Sequence, residues 1–113
     1  MHTTLQEAGA LADQLKRAGG TDAVDVVVCP PFTALAAVAQ RLSGSRIQLG
    51  AQDLFWEPQG AFTGEVSPAM LADAGCRWVL IGHSERRTLF GETDDAVRRK
   101  LGAALQHGLN AIV

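Results

Sequence analysis

A histidine, a carboxylate and two guanidinium groups lie close together near the middle of the chain. His83 follows Gly82 at the end of a short apolar run, and Glu85, Arg86 and Arg87 come within four residues of it. An imidazole beside the backbone amides of a new helical turn meets positive partial charge, which favours the neutral ring. Such a ring can donate an N–H to a carbonyl oxygen, so His83 is a candidate electrophile.

Two structural explanations compete with that chemistry. A histidine at the rim of a sheet can simply cap a turn or bond a backbone carbonyl. Arg86 and Arg87, paired with Glu85, Glu92 or Asp94, would form an ion-pair clamp, as charged surface clusters usually do. The sequence pattern gives the clamp and the site equal weight.

The elements that must position these residues alternate between helix and strand. Apolar periodicity and capping residues predict four helices, which begin after Thr4, Thr33, Ser67 and Thr93 or Asp94 and end at Gly19-Gly20, Gly44, Gly75 and Gly108. Short β-branched runs predict strands over residues 24–29, 46–50, 77–82 and 109–113. Apolar strands separated by helices are typical of a parallel sheet with right-handed crossovers, so the sequence predicts an α/β fold.

Ligands of such sheets bind where the strands end, which directs attention to the residues after Cys29, Gly50 and Gly82. Neither a Gly-x-Gly-x-x-Gly pattern nor a P-loop follows any predicted strand, which argues against nucleotide binding. Residues 51–66 form a loop longer than usual, and long ordered loops are often functional. Its aromatic side chains would be exposed on a monomer and buried by an interface, or else would pack as core beneath the loop.

Composition excludes several classes of function. A net charge of -2 offers no general attraction to nucleic acid or to an anionic membrane. The apolar runs are far shorter than a membrane span, and the N-terminus lacks a signal-peptide pattern. Cys29 and Cys76 lack the spacing of a zinc site, so we expect reduced thiols, a cytoplasmic location and neither metal nor cofactor.

Three segments resemble one known family. Residues 81–87, Ile-Gly-His-Ser-Glu-Arg-Arg, are similar to the fourth-strand signature of triosephosphate isomerases. Residues 50–53 and 60–68 resemble that family's third strand and long dimer loop, and residues 29–33 its second strand end. The similarity covers nearly the whole chain in the family's order, from the first helix to the start of the fifth strand.

The resemblance implies a partial (β/α)8 barrel of about four parallel strands alternating with four helices. Residues 1–113 would then be one incomplete barrel domain, truncated at both ends. The implied activity is the interconversion of dihydroxyacetone phosphate and glyceraldehyde 3-phosphate in glycolysis and gluconeogenesis, by a cytoplasmic homodimer without a cofactor. Neither nucleic acid nor a membrane is an expected partner.

The resemblance also assigns roles to individual residues. The family is a known case of a neutral histidine electrophile working with a glutamate base, so the role of His83 is carried over from it. Glu85 and Ser84 would support His83, and no substrate-binding residue is assigned. Thr63 would reach toward the partner's active site. The implied dimer loop contributes Gln52, Asp53, Phe62, Thr63, Gly64 and Glu65.

Several functional parts of the family have no counterpart in residues 1–113. These are the Asn-x-Lys segment before the first helix, the glutamate base, the lid and the phosphate-binding loops, so we expect this chain alone to be inactive. One alternative is a non-catalytic module that binds itself or an isomerase subunit through the Thr63 loop. A more distant one is an unrelated doubly wound binding domain.

Overall fold

The computed structural model describes residues 1–19 and 23–113, in which four parallel strands form one sheet in the order β1-β2-β3-β4. Each strand pairs with the next one along the chain, as crossover connections through helices allow. All strands therefore end at the same edge of the sheet, which confirms the predicted α/β architecture. The strands are β1 Val27–Val28, β2 Gln48–Ala51, β3 Trp78–Leu80 and β4 Asn110–Ile112.

Five α-helices, one more than predicted, cover this sheet within the described residues. The additional helix, α4, begins directly after His83 and is separated from α5 by three residues. A short 3-10 turn, Phe32–Ala34, precedes α2. The helices are α1 Leu5–Ala18, α2 Leu35–Leu42, α3 Pro68–Asp73, α4 Ser84–Phe90 and α5 Asp94–Gln106.

Three of the predicted caps are confirmed. Thr4 forms a capping box with Glu7, and the hydroxyls of Ser67 and Thr93 accept hydrogen bonds from backbone N–H groups of α3 and α5. The predicted cap at Thr33 is wrong, because this residue lies inside the 3-10 turn and α2 has no side-chain cap. Gly19 ends α1 with φ 70°, whereas Gly20 lies outside the described residues.

Not every apolar residue of the helices faces the core. Leu5, Leu11 and Leu105 are 57%, 49% and 61% exposed. Helix α1 instead buries Ala8 and Ala12, whose small side chains allow α1 to lie close against its neighbours. Within the described part of the chain, no helix is both long enough and apolar enough to cross a membrane.

The sheet and helices enclose a tightly packed core in which β2 is central. Gly50 in β2 has no space for a side chain, because an added Cβ would lie 2.7 Å from Cys29 Sγ and 3.2 Å from Trp78 Cβ. Both distances are shorter than normal van der Waals contacts. This glycine therefore allows β2 to fit between the side chains of its two neighbouring strands.

We expect Gly50→Ala to lower the free energy of unfolding by about 1–3 kcal/mol, because the methyl group overpacks the sheet. The matched control is Gly102→Ala in α5, where an added Cβ meets nothing within 4 Å. That substitution should stabilise the chain by up to about 1 kcal/mol, since alanine is the better helix former. Urea denaturation measures the free energy of unfolding of both variants. Equal changes in the two would contradict the packing argument.

A buried ion-pair network joins the end of β2 to helices α4 and α5. Lys100, only 4% exposed, contacts Asp53 Oδ1 and Glu92 Oε2 at 2.6 Å each. Arg86 Nε lies 2.8 Å from Asp53 Oδ2 and 2.9 Å from Glu92 Oε2. Lys100 is therefore ion-paired with both carboxylates. Two cations neutralise two carboxylates in a site largely shielded from water.

Lys100→Met should cost about 3–5 kcal/mol of unfolding free energy, because it leaves a buried carboxylate pair with only Arg86 as counter-ion. Arg98→Met on the same helix is the control. The Arg98 side chain is 74% exposed and pairs with Asp95 one turn away, so its loss should cost about 0.2–0.5 kcal/mol. Similar losses in the two variants, measured by urea denaturation, would show that the buried network contributes little.

Candidate functional site

His83 stands where the chain passes from β3 into α4, at the edge where the strands end. Gly82, with φ +71°, makes the turn, and His83 is the N-cap of α4. Its Nδ1 accepts a hydrogen bond of 3.2 Å from the backbone N–H of Glu85. Because a backbone N–H can only donate, the proton of the neutral ring is on Nε2. The side chain is 48% exposed, so this N–H can meet a ligand.

The capping explanation and the chemical explanation for His83 are therefore compatible. Capping uses Nδ1 and leaves Nε2–H as a donor. The carboxylate of Glu85 is 73% exposed and comes no closer than 3.9 Å to Nδ1, so it does not compete for that nitrogen. Ser84 is the first residue of α4 and is exposed. The supporting roles of Glu85 and Ser84 stay predictions.

The two arginines that follow form the predicted ion-pair clamp, with different partners from one another. Arg86 is held by Glu92 and Asp53, whereas Arg87 Nη1 bonds Asp94 at 2.7 Å. Asp53 is a partner of Arg86 that the sequence pattern did not predict. The sequence indicated only its position, since Asp53 follows β2 and the ends of neighbouring parallel strands meet at one edge, whereas no local pattern pairs it with Arg86.

Gln52 links two strand ends, because its Nε2 donates to the carbonyl oxygen of Cys29 at 2.9 Å. Leu54, which follows Asp53 at the start of the loop, is only 1% exposed and belongs to the core. Core packing beneath the loop is therefore found at this residue. Phe55 and Trp56 are half-buried.

The loop that follows is ordered by its own contacts. The Phe55 N–H donates to the carbonyl of Val66 at 2.9 Å, which closes the loop at its base. The rings of Phe55 and Phe62 lie 4.5 Å apart. Phe62, Thr63, Gly64 and Glu65 are exposed, whereas Asp53 is buried in the ion network. The expectation that these residues meet a second subunit stays a prediction.

A cavity of about 320 Å³ lies elsewhere, between α1 and the end of β1. Its lining is mainly apolar and includes Leu11, Leu15 and Pro30, but not His83, Ser84 or Glu85. In residues 1–19 and 23–113 no group of three or more histidine, cysteine, aspartate or glutamate side chains is placed to hold a metal ion.

Both cysteines are free, as predicted, although Cys29 is only half-buried. Burial, together with the nearby Cys29, raises the pKa of Cys76 to about 11. This thiol is therefore protonated and unreactive at neutral pH.

Comparison with known proteins gives the family. The sequence model of triosephosphate isomerase matches residues 1–113. The chain is 61% identical over 114 residues to the triosephosphate isomerase of Symbiobacterium thermophilum, and 58% identical over 113 residues to that of Moorella thermoacetica. It is 59% identical to that of Pelobacter propionicus over 114 residues. Each alignment covers 100% of this chain and 44–45% of the relative, so the chain spans a little under half their length. Residues 1–113 belong to the triosephosphate isomerase family.

Proposed function

We propose that residues 1–113 are a segment of an enzyme that interconverts dihydroxyacetone phosphate and glyceraldehyde 3-phosphate, with His83 as the electrophile. The observation that carries this proposal is the hydrogen bond from the Glu85 N–H to His83 Nδ1. It fixes the tautomer in which Nε2–H can donate to the substrate carbonyl as charge develops on its oxygen. A neutral donor of this kind needs neither metal nor cofactor.

The proton transfer itself needs a base that accepts a proton from the carbon next to the carbonyl. In the family this base is a glutamate that lies beyond the matched segment. Within the site described above, Glu85 lies at the wrong end of the imidazole, near Nδ1. The segment therefore supplies the group that polarises the carbonyl, and the remainder of an isomerase would supply the base and the phosphate-binding loops. The setting we propose for the whole enzyme is cytoplasmic glycolysis and gluconeogenesis.

A chimeric enzyme tests this function. Residues 1–113 would replace the matched segment of the Symbiobacterium thermophilum isomerase, whose 61% identity favours a compatible interface. We expect the chimera to interconvert the two triose phosphates, and we expect His83→Gln to lower its kcat by about 10²- to 10³-fold, the usual effect of losing one donor to a developing oxyanion.

His107→Gln is the matched control in this chimera. The Nδ1 of His107 contacts the carbonyl oxygen of Ala103 at 2.9 Å near the end of α5, away from the strand-end site. This variant should keep the activity of the parent chimera. A folded chimera without activity, or a His83→Gln variant as active as the parent, would disprove the proposed function.

The 113-residue polypeptide prepared alone should show negligible isomerase activity. It can polarise a carbonyl, but the described residues place no base beside Nε2, and base catalysis commonly contributes about 10²- to 10⁴-fold. The measurement is a coupled assay of homogeneous polypeptide beside its own His83→Ala variant, which controls for traces of host enzyme. Activity that exceeds that of the variant would show that the segment contains a base that we have not identified.

We further propose that the loop from Phe55 to Val66 contacts a second isomerase subunit. Supporting this proposal are the exposed tip at Thr63 and Gly64, the ordering hydrogen bond at its base and the Phe62 ring, which is 42% exposed. A preordered loop loses little conformational entropy when it binds. The same loop would allow the segment to act as a binding module even without catalysis.

Thr63→Arg should convert a dimeric chimera largely to monomer, because it places a charge in the proposed contact. Gln6→Arg adds the same charge at an exposed position of α1 and should leave the dimer intact. Sedimentation velocity measures both. Equal sedimentation of the two variants as dimers would exclude the loop from the interface.

A further inference from the structure

Glu92 is a buried carboxylate that the catalytic proposal does not use. It is 9% exposed and precedes α5, yet both of its oxygens are fully engaged. Its Oε1 accepts from the backbone N–H of Gly82 at 2.9 Å. Its Oε2 accepts from Arg86 Nε at 2.9 Å and from Lys100 Nζ at 2.6 Å. One side chain therefore binds a strand end, α4 and α5 together.

Two of these partners lie on either side of His83. Gly82 precedes His83 directly, and the backbone N–H of Arg86 donates to the His83 carbonyl at 2.9 Å. The carbonyl of Gly82 is also held, because it accepts from Arg87 Nε at 2.9 Å. Side chains thus fix both polar groups of the residue before His83, so its backbone has little freedom.

Gly82 itself needs this support because glycine has few conformational restraints of its own. Its φ of +71° suits glycine, and an added Cβ would lie 3.0 Å from Val97 Cγ2. Glycine has more backbone freedom than any other residue, so an unsupported Gly82 could adopt other conformations. A change at this residue would rotate the imidazole that follows it.

The charges around Glu92 keep its carboxylate ionised, which strengthens the hydrogen bonds that it accepts. Burial acts to raise the pKa of Glu92, but hydrogen bonds from Lys100 and Arg86, the charge of Lys100 and the Gly82 N–H lower it overall. The carboxylate is therefore ionised at neutral pH. Asp53 pairs with the same two cations, so the four groups sum to zero charge. Misalignment within such a shielded network is costly.

We propose that Glu92 is a positioning residue for His83, acting through the N–H of Gly82 to set the direction of the imidazole Nε2–H. This inference rests on the proposed role of His83. The proposal predicts an effect beyond stability. The orientation and the tautomer of the His83 imidazole should depend on whether residue 92 accepts the hydrogen bond from the Gly82 N–H.

Two double variants of the chimera with the same charge distinguish an effect on the orientation of His83 from an effect on folding stability. Glu92→Gln with Lys100→Met keeps an oxygen acceptor for Gly82, and Glu92→Leu with Lys100→Met removes it. Both remove one carboxylate and one cation, so Asp53 and Arg86 remain as a balanced pair. Leucine occupies a volume near that of glutamate, and replacing buried charges by apolar groups of similar volume is often neutral for stability.

We expect the Gln/Met variant to keep kcat within about threefold of the parent, and the Leu/Met variant to lose about 10- to 100-fold in kcat with little change in KM. The imidazole ¹⁵N resonances provide a second measurement. His83 should be the Nε2–H tautomer in the parent and in the Gln/Met variant, and a mixture in the Leu/Met variant. His107 is an internal control, because its Nδ1 faces a carbonyl and must donate.

The outcomes are distinct. A Leu/Met variant with the kcat and the His83 tautomer of the parent would overturn the proposal, whatever its melting temperature. Equal losses in both variants would also overturn it, because they would assign the effect to Lys100. If the parent chimera lacked isomerase activity, the proposed function would fail, but the ¹⁵N resonances would still decide whether Glu92 positions the ring. Should the Leu/Met variant not fold, Glu92→Met with Lys100→Met provides the same comparison.

Discussion

The buried pairing of Lys100 and Arg86 with Asp53 and Glu92 is the interaction on which the strand-end region depends. It joins residues from the end of β2, from α4, from the segment between α4 and α5 and from the middle of α5. Hydrophobic packing holds the helices on the sheet but does not fix small rotations at the rim. The ion pairs do so, because each hydrogen bond has a defined direction and an unpaired charge would be costly in this environment.

His83 shows how one residue can satisfy a structural and a chemical requirement together. The imidazole has two nitrogens with different roles, and the cap of α4 needs only one of them. The cap also selects the tautomer, so the local folding of α4 determines which proton is available to a ligand. A histidine elsewhere in the chain, His107, has the opposite arrangement because its Nδ1 contacts a carbonyl. Backbone partners alone account for the difference.

Much of the fold could be predicted from sequence, and the errors have physical causes. The caps at Thr4, Ser67 and Thr93 were predictable because they depend on neighbouring residues. Helix α4 was missed because it has no buried residue, and so its sequence carries no apolar periodicity. The role of Asp53 was missed because its partners Arg86 and Lys100 are 33 and 47 residues away, and no local pattern encodes that pairing. A short sequence signature identified His83 and its surroundings. The tautomer could not be predicted in this way, because it depends on the hydrogen bond from the Glu85 N–H to Nδ1.

The ion network lies within a single continuous stretch, from Asp53 to Lys100. Strand β1 and helices α1 and α2 contribute none of its members. Proteins are synthesised from the N-terminus, so the members of this stretch leave the ribosome in order. Every side chain that supports His83 is therefore available once Lys100 has emerged. The residues that hold the electrophile are present before any residue that follows them in the chain.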